Sequence, residues 1–291
     1  DVGDLQSLAE SLFAEGWLSS AEAFIVPFKW DERWREYGKN FLLRCDESLR
    51  LVEDCDDSRV LGAVHITAGG WSCFFSFQFV EDEREQKEYL DKGLGLLEKA
   101  LVFAKKAKDK EQILWSLFWL DWWALWGGRF EYLQKRIFDD LGEVEELGKL
   151  FVGTYGPQNI RFFTYYACAV CYMTFAQMRF FTSDQRKSYA EKGIEYAKKS
   201  LEEVTFEPFS AWAYQTLTWS HSQLVALAIG KDERDEHAQK MLQYAKQAQK
   251  IAEQYEGDFP RAAGYSSLYR AYKTLADIAE NEEERIKMLS I

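Results

Sequence analysis

The chain has 291 residues, 47% of them hydrophobic and 29% charged, with a formal net charge of −12. Those fractions belong to a folded protein and exclude a disordered one. The acidic balance argues against nucleic acid and anionic membrane surfaces, which demand basic patches, and leaves room for a basic partner.

Aromatic residues make up 16% of the chain, with 11 Trp, so large rings either supply buried area or line a surface. Four Pro and 18 Gly are too little punctuation for a many-stranded β fold, which needs turn residues at short intervals. Cys45, Cys55, Cys73, Cys168 and Cys171 are odd in number and irregular in spacing. They suit a reducing, cytoplasmic compartment rather than a disulfide framework. Cys168 and Cys171 form a Cys-x-x-Cys inside an apolar helical run with no second ligand pair beside it, and read as core thiols.

In chain order, the segment from Asp1 to Ser20 lacks the basic start and apolar stretch of a secretory signal. The chain begins on Asp1 rather than Met, so a processed or longer protein is expected. Helical periodicity predicts a helix near 5–24 and its partner near 31–54. The next pair spans 59–80 and 82–108. Within it, Cys73, Phe75, Phe77 and Phe79 alternate with Ser72, Ser76 and Gln78 as a strand would, and the repeat described below overrides that alternation. Helices near 111–127 and 130–150 follow, then 157–181 with 184–203, 208–229 with 232–255, and 260–280 with a last helix from Asn281 that is cut short at Ile291. The longest apolar runs, Ile113–Trp126 and Phe162–Ala176, fall short of the roughly 18–20 residues of a membrane span.

The pairs repeat. Pro157, Pro208 and Pro260 are 51 and 52 residues apart, each opening an aromatic-rich segment, as suits Pro at the first helical position. Steps of five, nine, twelve and sixteen beyond each Pro give Phe162, Tyr166, Ala169, Met173; Ala213, Leu217, Ser220, Leu224; and Tyr265, Tyr269, Tyr272, Ala276. That spacing traces one helix face. The second helices align as well: Lys92-Gly93 and Ala100-Leu101 match Lys192-Gly193 and Ser200-Leu201, then Lys240-Met241 and Ala248-Gln249. Their starts at Glu81-Asp82, Ser183-Asp184 and Lys231-Asp232 read as Asp N-caps with acids in the first turn.

The fold class expected is all-α: a right-handed solenoid of antiparallel helix pairs, about five and a half repeats in one domain. Its hairpins fall near 1–56, 57–109, 110–155, 156–206, 207–257 and, in part, 258–291. The second helices resemble those of tetratricopeptide repeats in Gly193, Ala197, Ser200, Leu201 and in Gly93, Leu97, Ala100, Leu101. The period of about 50 departs from that family's 34, and the family's Trp-x-x-Leu-Gly pattern is missing. The resemblance implies a curved solenoid whose first helices line an inner binding surface.

Few residues suggest chemistry. On the 111–127 helix, Trp115, Trp119, Trp122 and Trp126 form a stripe beside Ile113, Leu117, Leu120 and Ala124. Such a helix, apolar all round, is either buried between hairpins or faces a ligand. Asp121 within it either faces solvent, accepts an indole N–H or, if turned to a groove, attracts a basic group. His65, His221 and His237 are far apart in sequence and make no His-Glu-x-x-His or Glu-x-x-His pair, so no metal or cofactor is expected. Ser220 and His221 are neighbours on a helix and point about 100° apart, which is no catalytic dyad. Gly69-Gly70 and Gly93-Leu94-Gly95 lie within helices and suit close helix approach rather than phosphate binding. The acids Asp139, Asp140, Glu143, Glu145 and Glu146 read as a solvated face or a strip for a basic partner.

The expected function is therefore a non-enzymatic protein-interaction scaffold. It would hold a peptide or partner domain, basic in one version, in an aromatic groove bordered by Trp115, Trp119, Trp122, Asp121, Phe162, Tyr166, Tyr214, His221, Tyr265 and Tyr269. The alternative is a ligand-sensing domain of a larger protein that binds an apolar or aromatic small molecule in the same groove.

Overall fold

The computed structural model describes residues 32–129, 160–204, 206–255, 257–279 and 281–289, together with 11, 142, 143, 146 and 147. The expected helices at 5–24 and 130–150, and Pro157, lie outside the described residues apart from those isolated positions. The chain divides into two compact units, the described residues up to Leu147 in the first and those from Ile160 in the second.

Unit 1 contains α1 (Glu32–Leu51), α2 (Ser58–Phe79), α3 (Glu83–Ala107) and α4 (Lys110–Trp126). Unit 2 contains α5 (Ile160–Gln177), α6 (Ser183–Glu202), α7 (Ser210–Leu227), α8 (Lys231–Gln254), α9 (Asp258–Asp277) and α10 (Glu282–Leu289). Among the described residues there is no strand, and the alternating stretch at 71–80 is helical through Phe79. A fold built from helical repeats follows from the register shared by the two units.

In unit 1, α2 and α3 run antiparallel and meet backbone to backbone. A Cβ on Gly93 would stand 2.4 Å from Cys73 Sγ and 2.7 Å from the Gly69 carbonyl oxygen. One hundred residues on, Gly193 of α6 faces Ala169 and Met173 of α5 in the same way, with Ser220 of α7 added. The outer ends of these hairpins match too. Ser76 Oγ donates to the Gln86 carbonyl at 2.9 Å and Gln86 Nε2 donates back to the Ser76 carbonyl at 3.3 Å. In unit 2, Arg186 Nε donates to the Ala176 carbonyl at 2.8 Å.

The helix starts explain their own positions. Asp82 caps α3, accepting from the backbone N–H of Arg84 and Glu85, as its sequence suggests. At α6 the cap is Thr182, two residues before the expected Asp184, in a reciprocal capping box with Gln185. At α8 the cap is Gly230, with no side-chain bond, and Asp232 and Glu233 instead sit in the first turn beside the exposed N–H groups. Pro208 falls in a short 3-10 turn, Glu207–Phe209, just ahead of α7, and Pro260 is the third residue of α9. Both occupy first turns, where a missing N–H breaks no helical bond.

The membrane reading needs one correction. Ile113–Trp126 and Phe162–Ala176 are shorter than a span, but Ser58–Phe77 of α2 is long and apolar enough to cross a membrane, with a mean hydropathy of 1.3. Of that stretch, 72% is buried inside the protein, against the neighbouring helices of unit 1. All five cysteines keep their thiols, with Cys45, Cys73, Cys168 and Cys171 buried and Cys55 partly open. Burial in an apolar setting pushes the Cys73 thiol pKa strongly upward, with Asp91 adding to it.

Candidate functional site

The ten groove residues fall into both units and are taken unit by unit. On α4, Trp115, Trp119 and Trp123 form a stacked series of rings. Trp119 stacks on Trp115 at 6.2 Å and on Trp123 at 5.9 Å, and Trp123 in turn stacks on Phe77 of α2 at 5.5 Å. Trp115 and Asp121 are buried, and Trp119 and Trp122 are half-buried. The expectation that Trp115 and Asp121 border an open surface is therefore corrected, and so is the solvent-facing reading of Asp121. A helix apolar on every face satisfies itself against α2 and α3, and its sequence gives no direction in which to aim.

Phe162 and Tyr166 of α5 correct the same expectation in unit 2. They are 0% and 4% exposed. Phe162 stacks on Phe209 at 5.4 Å and Tyr166 on Trp212 at 5.5 Å, with Phe162 and Tyr166 stacked on each other at 5.6 Å. These four rings join α5 to the start of α7. Burial drives the Tyr166 phenol pKa well up, with a bond to the Thr216 hydroxyl opposing it, so Tyr166 is a neutral packing group.

Tyr214 and His221 belong to a polar cluster between α7 and α8. Tyr214 is half-buried and stacks on Tyr244 at 6.2 Å, and His221 stacks on the same ring at 5.6 Å. His221 Nδ1 lies 3.2 Å from His237 Nδ1, so one imidazole donates to the other. Desolvation, joined by the His237 charge, pushes the His221 pKa down to about 3, and burial lowers that of His237. Both rings are neutral near pH 7. His221 is buried rather than open to a groove, which corrects that expectation as well. His221 and His237, far apart in sequence, therefore meet in space. The signal was present: each lies eight residues from Ile229, at the turn of an antiparallel hairpin, and mirror positions about a turn face one another.

His221 is part of a buried polar run, Ser220 to Gln223, on the same helix. Ser222 Oγ lies 3.0 Å from Thr274 Oγ1 and accepts from Arg270 Nε at 2.8 Å. The Arg270 guanidinium also lies over the Trp219 ring at 5.1 Å. Gln223 accepts from Arg186 at 3.3 Å. This network ties α6, α7 and α9 together.

Tyr265 and Tyr269 stand apart from the other eight. They are 55% and 67% exposed on one face of α9. Arg261 and Lys273, four residues to either side, are exposed on the same stripe.

No known family matches the chain, and no curated protein matches it. Among solved structures it is similar, at a TM-score of 0.32 and 13% identity, to a circular tandem repeat protein with novel repeat topology and enhanced subunit contact surfaces. That match covers 98% of this chain and 68% of the other.

Proposed function

We propose that this chain is a protein-interaction scaffold, a tetratricopeptide-like array of helix pairs that binds a partner through an aromatic face rather than catalysing a reaction. One observation carries the reading. Tyr265 and Tyr269 are open to solvent, whereas the residues in register with them, Phe162 and Tyr166 on α5 and Ala213 and Leu217 on α7, are buried. Paired Tyr rings offer large contact area at low conformational cost, which suits recognition. The groove so proposed is smaller than the ten-residue one, because the rings of α4 and α5 are engaged in packing. Retained thiols suit a reducing compartment such as the cytoplasm.

The test is a peptide library displayed against the whole chain and counter-screened on Tyr265→Ala/Tyr269→Ala. Recovered ligands should bind the unaltered protein and lose binding to the double variant. Ligands that bind both proteins equally would place recognition elsewhere and overturn the reading.

A further inference from the structure

We propose that the stripe Arg261, Tyr265, Tyr269 and Lys273 on α9 docks an amphipathic helix that carries two aromatic rings three residues apart, flanked by acidic side chains. The proposal rests on the scaffold reading and names the partner class for it.

The chain itself supplies the template. Phe162 and Tyr166 lie five and nine residues beyond Pro157, and Tyr265 and Tyr269 lie five and nine beyond Pro260. On α5 that pair is covered by Phe209 and Trp212, rings three residues apart at the start of the following first helix. The pair on α9 has the same spacing, with a Tyr where α5 has Phe162, and its rings are open.

The other sides of α9 are already occupied. Ala271 packs with Met241 and Ala245 of α8, flanked by Leu268 and Leu275. Gly264 closes against Ala248 and Ala252. Ser266, Arg270 and Thr274 bond to α7. The exposed positions left on α9 are Arg261, Ala262, Tyr265, Tyr269, Lys273 and Asp277, at the three- and four-residue spacing from which helix-in-groove recognition draws its anchors. Charge selects among helices. Arg261 and Lys273 stand one turn to either side of the rings, with exposed Asp277 a turn beyond Lys273, so acidic side chains are favoured directly opposite Arg261 and Lys273.

The experiment uses the full chain and a labelled synthetic peptide copying residues 206–222, which holds Phe209 and Trp212 at their natural spacing, extended by two Glu at each end. Fluorescence anisotropy should show saturable binding. Tyr265→Ala and Tyr269→Ala should each weaken it by about 5- to 10-fold, as truncating an interface anchor does. Replacing both peptide rings with Ala should remove binding. Arg261→Glu/Lys273→Glu should weaken the Glu-flanked peptide and favour a Lys-flanked one. Both Tyr side chains are exposed, so circular dichroism of the variants should match that of the unaltered protein.

Equal binding to the unaltered chain and to Tyr265→Ala/Tyr269→Ala overturns the proposal, since the peptide would then be displacing α7 or sitting elsewhere. So does a dimer in sedimentation that Tyr269→Asp dissociates, because the occupant would be a second copy. If this peptide fails while library ligands still depend on Tyr269, the helical partner is wrong and the scaffold reading stands. If the library ligands are also indifferent to Tyr269, both fall.

Discussion

The hairpins α2/α3 and α5/α6 hold the same backbone register one hundred residues apart and fill it with different chemistry. At the crossing, unit 1 sets Gly69 against Gly93, while unit 2 sets Ala169 against Gly193. At the outer end, a neutral reciprocal pair, Ser76 and Gln86, stands where unit 2 has Ala176 and the charged Arg186. Arg186 also reaches Gln223 of α7. Only the glycine of the second helix recurs at both crossings. Close approach of two helices thus fixes one position strictly and leaves its neighbours free, and unit 2 uses that freedom to build the polar network around α7.

Acid should separate the units most strongly. His221 has a folded pKa of about 3, below the unfolded value near 6.5. As pH falls through 6.5, the unfolded chain takes up a proton that the native state refuses, so stability is lost down to about pH 3 and no further. At about 1.4 kcal/mol per pH unit, the loss is on the order of 5 kcal/mol. His65 of unit 1 is also lowered by burial, and its ring bonds the Leu61 carbonyl, so unit 1 should respond in the same direction. Urea unfolding at several pH values, with His221→Gln and His65→Gln compared, checks this. If His221→Gln retains the full acid sensitivity, the His221 account is wrong.

A smaller contrast lies in the two glycines. Gly93→Ala presses a methyl group against Cys73 and the Gly69 backbone, which cannot yield, and should cost about 2 kcal/mol net of the helix propensity gained. At Gly193 the nearest atom is the Ser220 hydroxyl at 2.9 Å, with backbone only at 3.2 Å and beyond. There the clash and the propensity gain should nearly cancel, leaving within about 0.5 kcal/mol of the starting stability. Denaturation midpoints of the two variants decide it, and equal losses would show that the shared register does not rank the two crossings.

The outer clamps should differ by less. Arg186→Met removes a charged donor from two acceptors and should cost about 2 kcal/mol, whereas Gln86→Met should cost about 1 kcal/mol. The caps give the smallest effect. Asp82→Ala should cost about 1 kcal/mol, while Gly230→Ala, where no side-chain bond exists, should change stability by a few tenths.

Much of the fold was legible because helix period, proline phase and the spacing of Gly93 and Gly193 are one-dimensional signals. The candidate site was less so. Phe162 and Tyr166 share a phase with Tyr265 and Tyr269, yet the first pair is covered and the second is open. Phase says which residues share a face, and only the neighbouring helix says whether that face is occupied. On α4, rings on every side erase the phase itself. The His221–His237 pair is hidden in the sequence because sixteen residues separate the two until the chain folds back at the turn by Ile229. Thr182 capped α6 because a reciprocal bond with Gln185 outweighed the more obvious acid at Asp184.

The distribution of the thiols gives each unit its own clock. Cys45 and Cys73 are sealed inside the first, Cys168 and Cys171 inside the second, and Cys55 is partly reachable in the folded state. An alkylating reagent should therefore mark Cys55 first, and every later mark requires a unit to open. Mass spectrometry of the labelled peptides over time would then yield two opening rates from a single sample, without any engineered probe. Rates that differ between the pairs would mean that the two halves breathe independently, and identical rates would mean that they open together.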